Sequence, residues 1–476
     1  MLLFFGEKKT KIFVVQTNSD LSVVNIKKLE WLFQEAPFIN SQEIKGVFIG
    51  PRASMVSPWS TNAVEITQNM GIKDILRIEK FHSKSTIKNV DPMLYSEFKY
   101  LDQNIFDVDI KPDNIINIKD IAEYNLTEGL ALSDDEVKYL NDLSKTLGRF
   151  LTDSEVFGFS QVNSEHCRHK IFNGKFVING KPKENSLFEL IKKTSKKNPN
   201  NIVSAYKDNV AFIEGPEIEQ FVPKDATTPS NFSKEKIKSV ISLKAETHNF
   251  PTTVEPFNGA ATGSGGEIRD RLAGGKGSLP LAGTAVYMTS YSRIQKNSKK
   301  GSFAERDWLY QNPTDILIKA SNGASDFGNK FGQPLIAGSI LTFEHKENNQ
   351  LLGYDKVIML AGGVGYGKKH EAEKGIPKKG DKIIILGGDN YRIGMGGAAV
   401  SSADTGKYGN ALELNAIQRS NPEMQKRVSN VIRALVESDI NPIVSIHDHG
   451  AGGHLNCLSE LVENTGGTIE IDSLPL

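Results

Sequence analysis

The sequence is short of several things, and each shortage excludes something. Of 476 residues only two are cysteine, Cys167 and Cys457. That is too few for a disulfide framework and fits a reducing compartment, so a cytoplasmic setting is expected. Neither charge is in excess: 57 Lys and Arg balance 57 Asp and Glu. Nothing therefore steers the chain toward nucleic acid or an anionic membrane. No apolar run reaches the roughly 18 residues that a spanning helix needs. The opening MLLFFGEKKTKIFVV has too short an apolar stretch, with its charges on the wrong side, for a signal peptide. Collagen, coiled coil, secreted miniprotein and membrane protein are all excluded. What is present suits a chain that buries a core: 38% apolar and 24% charged residues, with length for about three domains. The one surplus is glycine, 42 residues concentrated after position 250.

Four regions follow along the chain. Residues 1–125 mix short β-like runs (KIFVVQT, KGVFIG) with one helical segment, VVNIKKLEWLFQEA, where Ile26, Leu29, Leu32 and Phe33 recur at helical spacing. Residues 126–169 read as helical, with capping boxes at Ser133/Glu136 and Thr152/Glu155. Residues 170–375 are the glycine-rich middle. There KKTSKKNPNN and QKNSKKG read as basic surface loops and ISLKAETHNF as a strand with a polar end. GAATGSGGEIRDRLAGGKG, which has neither period, reads as a loop. From residue 376 to 476 the pattern restarts. PKKGDKIIILGG reads as a turn and buried strand, and Pro422 opens a helix with Met424, Val428, Ile432 and Leu435 on one face. NPIVSI reads as a strand, HDHGAGG as a loop and LNCLSELV as a helix. IEIDSLPL looks like the middle of a unit, so this last region is expected to be incomplete.

A strand places alternate residues on one face, so Lys244, Glu246 and His248 are expected to point together. A cation, a carboxylate and an imidazole suit a nucleotide–metal site: Lys for phosphate, Glu for Mg²⁺, His for proton handling. A solvent-facing polar edge would read the same way. In the run Gly259, Ala260, Ala261, Thr262, Gly263, Ser264, Gly265, Gly266, Glu267, Ile268, Arg269, Asp270, the glycines would let backbone amides close on phosphates. Arg269 would add a bidentate donor and Asp270 a second Mg²⁺ ligand. The run matches neither the Rossmann pattern nor Walker A. Gly362 to Lys369 lacks the Ser or Thr of a Walker motif and reads as a strand end and turn.

His166, Arg168 and His169 close a predicted helix. They either complement its dipole or set His166 as a catalyst, with Arg168 or His169 on a nucleotide. Cys167 does not face its neighbour His166 on a helix. His447, His449 and His454 invite a zinc assignment, and a zinc hydrolase is the weakest functional reading. Asp448 capping the turn Gly450–Gly453 is the plainer expectation, with Cys457, Leu458 and Leu461 as core.

Taken together, FSQVNSEHCRHKIFNGKF, SAYKDNVAFIEGP, LKAETHNFPTTVEPFNGAATGSGGEIRD, IMLAGGVG, HDHGAGGHLN and SPWSTNA resemble phosphoribosylformylglycinamidine synthase in its large, single-chain form. The likeness runs in order through essentially the whole chain. It implies an α+β fold: a small ferredoxin-like N-terminal domain, a helical linker, an aminoimidazole-ribonucleotide-synthetase-like N-terminal domain and a truncated C-terminal-type domain. It implies the fourth step of de novo purine biosynthesis, in which ATP activates formylglycinamide ribonucleotide through an iminophosphate and glutamine-derived ammonia displaces phosphate.

By the same resemblance His166 and His248 are catalytic. His169, Lys244 and residues 259–270 meet ATP. Thr247, Asn249, Arg269 and Gln418 meet substrate, and Glu246, Asp270 and Asn421 hold Mg²⁺. Two positions depart: Phe250 stands where the family often has His, and Asn421 where the small form has Asp. The chain is expected to lack a second synthetase half and a glutaminase domain, and so to have no glutamine-dependent activity alone. It is also expected to expose an apolar sheet face. The alternatives are a non-catalytic nucleotide-binding fragment and another synthetase or kinase of the same superfamily, whose members lack the first 160 residues and SEHCRHK.

Overall fold

The structure is a computed structural model. It describes residues 1–470 except 55, 88–89, 91–94, 109–113, 226–227, 293–309, 388–395, 403, 408–409, 419 and 439. The QKNSKKG stretch and the last residues of IEIDSLPL fall outside the described residues. Two compact units emerge, one of Met1–Pro112 with Gly409–Asn421, the other of Asp113–Tyr408 with Pro422–Leu476.

The first unit holds β1 (Leu2–Glu7), β2 (Lys11–Thr17), α1 (Val23–Leu32), β3 (Phe38–Ile39), β4 (Ile44–Pro51), α2 (Pro58–Asn69), β5 (Ile75–Ser83) and β6 (Tyr95–Leu101). Its sheet runs β3-β1-β2-β5-β4-β6, every pair antiparallel. β1 is buried on both faces and its period of two divides it: Leu2 and Phe4 enter one core, Leu3 and Phe5 the other. The second core receives Leu29 of α1 and Ala63 of α2. The expected helix and strands are therefore present. Ser57 caps α2 and donates from Oγ to Glu79 Oε2 at 2.6 Å, while its N–H donates to Oε1 at 2.8 Å. Arg77 donates to the same carboxylate at 3.1 Å.

The second unit opens with β7 (Asn117–Ile118), α3 (Ile121–Glu128), α4 (Asp134–Leu147), β8 (Leu151–Thr152), α5 (Asp153–Val162) and α6 (Glu165–Arg168). Both expected capping boxes close, Ser133 with Glu136 and Thr152 with Glu155. Two small strands, β9 (Val177–Ile178) and β10 (Lys181–Pro182), precede α7 (Leu187–Lys197). KKTSKK is therefore not loop but the end of α7, started by a third capping box at Ser186 and Glu189.

The central sheet follows, with β11 (Ile202–Ser204), β12 (Ala211–Pro223), β13 (Phe232–Thr247), β14 (Leu279–Thr289), β15 (Leu335–Thr342) and β18 (Ile358–Lys368) in the order β11-β12-β13-β18-β14-β15. β16 (Glu344–Glu347) and β17 (Gln350–Gly353) make a separate ribbon. Gly362 to Gly367 therefore lie inside β18, not at a strand end and turn. Against this sheet pack α8 (Asn249–Val254), α9 (Pro256–Leu272) and α10 (Pro313–Phe331).

α9 corrects the largest expectation. The glycine-rich run is helical, and all of it except Phe257, Gly266 and Arg269 is buried. Four interior glycines count against a helix by about 1 kcal/mol each, which is why no helical period is visible. Packing outweighs that cost. A Cβ on Gly259 would stand 2.3 Å from the carbonyl of Pro251, and one on Gly265 2.7 Å from Phe327. The glycines let α9 approach α8 and α10 closely.

Beyond β18 the structure holds α11 (Gly396–Ser402), α12 (Asn410–Asn415), α13 (Pro422–Val436) and α14 (Gly453–Leu461). α13 and α14 are the expected helices. The buried line of α13 runs through Gln425, Ser429, Ile432 and Val436, not through Met424, Val428 and Leu435, which are half-buried. The two expected strands here are absent. KIIIL is exposed, with Ile383 at 64% and Ile384 at 76%, because no described strand pairs with it. NPIVSI is also irregular, although Ile443 and Ile446 join the α9–α13 core. β15, at the sheet edge, exposes Ile336, Ile340 and Leu341. No described helix is long and apolar enough to cross a membrane.

Candidate functional site

The site forms where β13 runs out against α8 and α9. Lys244, Glu246 and His248 are half-buried while Ala245 and Thr247 between them are exposed, so the alternation of a strand does place the three on one side. Lys244 Nζ lies 2.8 Å from Glu246 Oε2 and 2.6 Å from Asp270 Oδ2. Burial works against the ammonium, but Asp270 and Glu246 outweigh it and hold the Lys244 pKa above its usual range. Lys244 likewise overcomes burial at Glu246, whose pKa is lowered.

Asp270 goes the other way. Burial raises its pKa, and so does the neighbouring charge of Asp448. Like charges this close disfavour the ionisation of both. Glu246, Asp270 and Asp448 are thus three carboxyl groups against two cations, Lys244 and Arg269. As they stand, no three His, Cys, Asp or Glu side chains among the described residues converge on a metal position. The surplus of buried carboxylate nevertheless fits a divalent cation, the group that oxygen donors of this kind hold.

Asp448 was expected to cap the following turn. Asp448 lies 4.0 Å from Arg269 and accepts from Asn209 Nδ2 at 3.2 Å. Sequence reasoning missed it as a site residue. Its place beside glycines was a signal of a turn, and only the packing of the loop against α9 makes it a member of the cluster.

His248 Nδ1 is 2.5 Å from the carbonyl of Gly259. A carbonyl only accepts, so Nδ1 carries the proton and Nε2 has the lone pair. Burial pushes this imidazole down to about 4, against the pull of Glu246, so it is neutral at pH 7. His166 is exposed on α6 and close enough for its charge to bear on His248. His169 is exposed in a left-handed conformation, φ 51°, and stacks on Phe188. Asn249 is occupied structurally: its Oδ1 accepts from the Met359 N–H at 3.0 Å. Phe250 is buried.

The amides expected to cradle phosphate are largely committed. As a helix, α9 spends them on its own carbonyls. At its start Glu255 accepts from the Asn258 N–H at 2.5 Å, so a carboxylate already stands where an anion would dock. Of the run from Gly259 to Asp270, Arg269 and Asp270 are the side chains that reach the cluster. Gln418 and Asn421 are half-buried in the Gly409–Asn421 segment of the first unit, and the Lys244 cluster is built from the second unit alone. His449 Nε2 and His454 Nδ1 lie 2.7 Å apart, sharing one proton. His447 faces Lys374 and Glu460.

Comparison with known proteins gives three matches along the chain. Residues 10–107 match the formylglycinamide ribonucleotide amidotransferase N-terminal model, residues 121–170 that enzyme's linker domain, and residues 378–476 the C-terminal domain of AIR synthase related proteins. Among solved structures, Thermotoga maritima PurL complexed with FGAR is 24% identical, covering 69% of this chain and 41% of that one, at a TM-score of 0.40. The same protein complexed with ATP is 23% identical, covering 69% and 40%, at 0.37. AaThiL complexed with AMPPCP and TMP is 13% identical, covering 51% and 62%, at 0.26. The chain spans about two-fifths of the PurL chains it matches. With scores this low, the assignment rests on the three sequence models. They agree with the mixed α+β architecture of N-terminal, linker and synthetase-like parts.

Proposed function

The chain belongs to the phosphoribosylformylglycinamidine synthase (formylglycinamide ribonucleotide amidotransferase) family, and on that premise we propose that its Lys244 cluster serves the synthetase reaction. That reaction converts formylglycinamide ribonucleotide to formylglycinamidine ribonucleotide with ATP and glutamine-derived ammonia. The observation that carries the reading is the crowding of carboxyl groups: Lys244 lies against both Glu246 and Asp270, and Asp448, beside Arg269, repels Asp270.

In this reading Glu246, Asp270 and Asp448 hold Mg²⁺, and Lys244 and Arg269 meet phosphate. The cation, when bound, supplies neutralisation of the triphosphate and of the charge that moves in transfer. His248, with Nε2 unprotonated, accepts the proton that the attacking nitrogen loses, and His166 is the second imidazole by family position. A positioned base of this kind contributes about 10²–10⁴-fold. His169 meets the nucleotide, and Thr247 and Asn249 meet substrate. The interior of α9 acts by packing, so Gly259 to Ile268 set where Asp270 stands. The division at 125, 169 and 375, a cytoplasmic setting, and reliance on a further synthetase half and a glutaminase domain complete the proposal.

The exposed β15 edge, with Ile336 at 66% and Ile340 at 62%, favours a second reading for the chain alone: nucleotide binding without turnover until a partner sheet covers that edge. One experiment separates these. The 476-residue protein is titrated calorimetrically with Mg²⁺·ATP and with formylglycinamide ribonucleotide, then assayed with both plus ammonium chloride. Binding with ammonia-dependent ADP release supports the full reading. Binding without turnover supports the second, and binding of neither ligand sinks both.

A further inference from the structure

The most deeply buried ion pair among the described residues of the second unit lies outside the assigned cluster. Glu267 and Arg271, one turn apart on α9, have side chains 1% and 0% exposed. Arg271 Nε donates to Glu267 Oε2 at 2.8 Å, and Gln333 Nε2 donates to Glu267 Oε1 at 2.6 Å. The remaining guanidinium nitrogens donate to the Val364 carbonyl and to Gln333 Oε1. The sheet makes room for this group with glycine. A Cβ on Gly363 would stand 2.5 Å from Arg271 and 2.7 Å from Glu267, and one on Gly283 2.7 Å from Gln333. Gly363 is the register partner of Lys244 across β13 and β18. The pair thus lies behind the cluster, and Arg271 follows Asp270 directly in sequence.

Two fully buried opposite charges are an expensive way to hold a helix to a sheet, since an apolar pair of similar volume often does as well or better. Position supplies a better account. Burial raises the pKa of Glu267, and the two cations that pull against it are Arg271 and then Lys244. The next carboxylate whose field acts on Arg271 after Glu267 is Asp270. Each member thus lies in the field of a site residue of opposite charge, across the Gly363–Lys244 register for Glu267 and one position along α9 for Arg271.

We infer that Glu267 and Arg271 are positioning residues that neutralise each other and so keep Lys244 and Asp270 committed to the cation cluster. The inference rests on the proposed function for the existence of that cluster. Without Arg271, the stranded Glu267 carboxylate draws Lys244 off Glu246 and Asp270. Without the charge of Glu267, Arg271 draws Asp270 away from the cation.

The test is a mutant cycle on the full chain: Glu267→Gln, Arg271→Met and the double variant, each titrated with Mn²⁺·ATP and melted separately. Each single variant is expected to weaken Mn²⁺·ATP by about 10–100-fold, the usual effect of disturbing the partners behind a ligand. The double variant, with no charge left to strand, is expected to return to within about threefold of wild type, whatever its melting temperature. A purely structural role predicts the reverse, with the double variant at least as impaired as the worse single one. Single variants that bind like wild type, or a double that gains nothing over them, overturn the inference. If the single variants do not fold, the double decides: wild-type binding supports it and lost binding overturns it. A wild-type chain that takes up no Mn²⁺·ATP removes the proposed function, and this inference with it.

Discussion

Each unit buries a carboxylate beside a cation, and the two arrangements differ in how they close. In the first unit Glu79 is fully buried and meets Arg77, the Ser57 hydroxyl and the Ser57 N–H. Arg77 in turn donates to the Ala53 carbonyl and lies over the Phe106 ring. One anion meets one cation, and the loop before α2 is tied down. In the second unit Lys244 faces Glu246 and Asp270, with Asp448 behind them. Three carboxyl groups there meet two cations, Lys244 and Arg269, so one is left over. A closed cluster is a fastening, whereas an open one costs stability until something else arrives. Carboxylate count against cation count separates the two better than burial does, since both are deep.

The comparison breaks most easily at the fastening. Glu79→Ala leaves Arg77 buried without its counter-charge, and about 3–5 kcal/mol of stability should be lost. Urea unfolding of the full chain reads this, and a change under about 1 kcal/mol would show that Glu79 fastens nothing.

Asp270→Asn should behave oppositely. Uptake of Mn²⁺·ATP should fall by more than about 100-fold, beyond what disturbing an outer partner costs, while apo stability holds or rises. The sign follows from the raised folded pKa of Asp270. Its contribution to stability is complete below the unfolded value near 3.8 and is lost as pH rises through the folded one. The melting temperature of the variant should therefore gain on wild type from acid to neutral pH. A variant less stable than wild type at pH 7 would make this cluster another fastening.

The smallest effect concerns the carrier of the open cluster. Gly259→Ala should cost about 1–3 kcal/mol, because its Cβ meets backbone. At Gly266 the nearest atom to an added Cβ is Arg269 Nη2 at 3.6 Å, and alanine there should gain roughly 0.5–1 kcal/mol. Thermal melts compare the two. Equal effects would mean that close approach is not why α9 is rich in glycine.

Much of the molecule was legible before folding because the signals are local. The helix at Val23–Leu32, the capping boxes at Ser133 and Thr152, and the shared face of Lys244, Glu246 and His248 each depend on spacing within a few residues. The motifs also carried the family, since SEHCRHK and the ETHNF run are long enough to be specific. Other features depended on neighbours far along the chain. The α9 glycines look like a loop until Pro251 and Phe327 are placed against them. KIIIL reads as a buried strand only if a strand pairs with it. Asp448 looks like a turn residue until packing brings it to Asp270, 178 positions earlier in the numbering. Sequence alone thus determined which groups could do chemistry and which short segments would be regular. Tertiary structure decided which carboxylates share a field and which glycines mark contact, because both depend on through-space distance that no local pattern encodes.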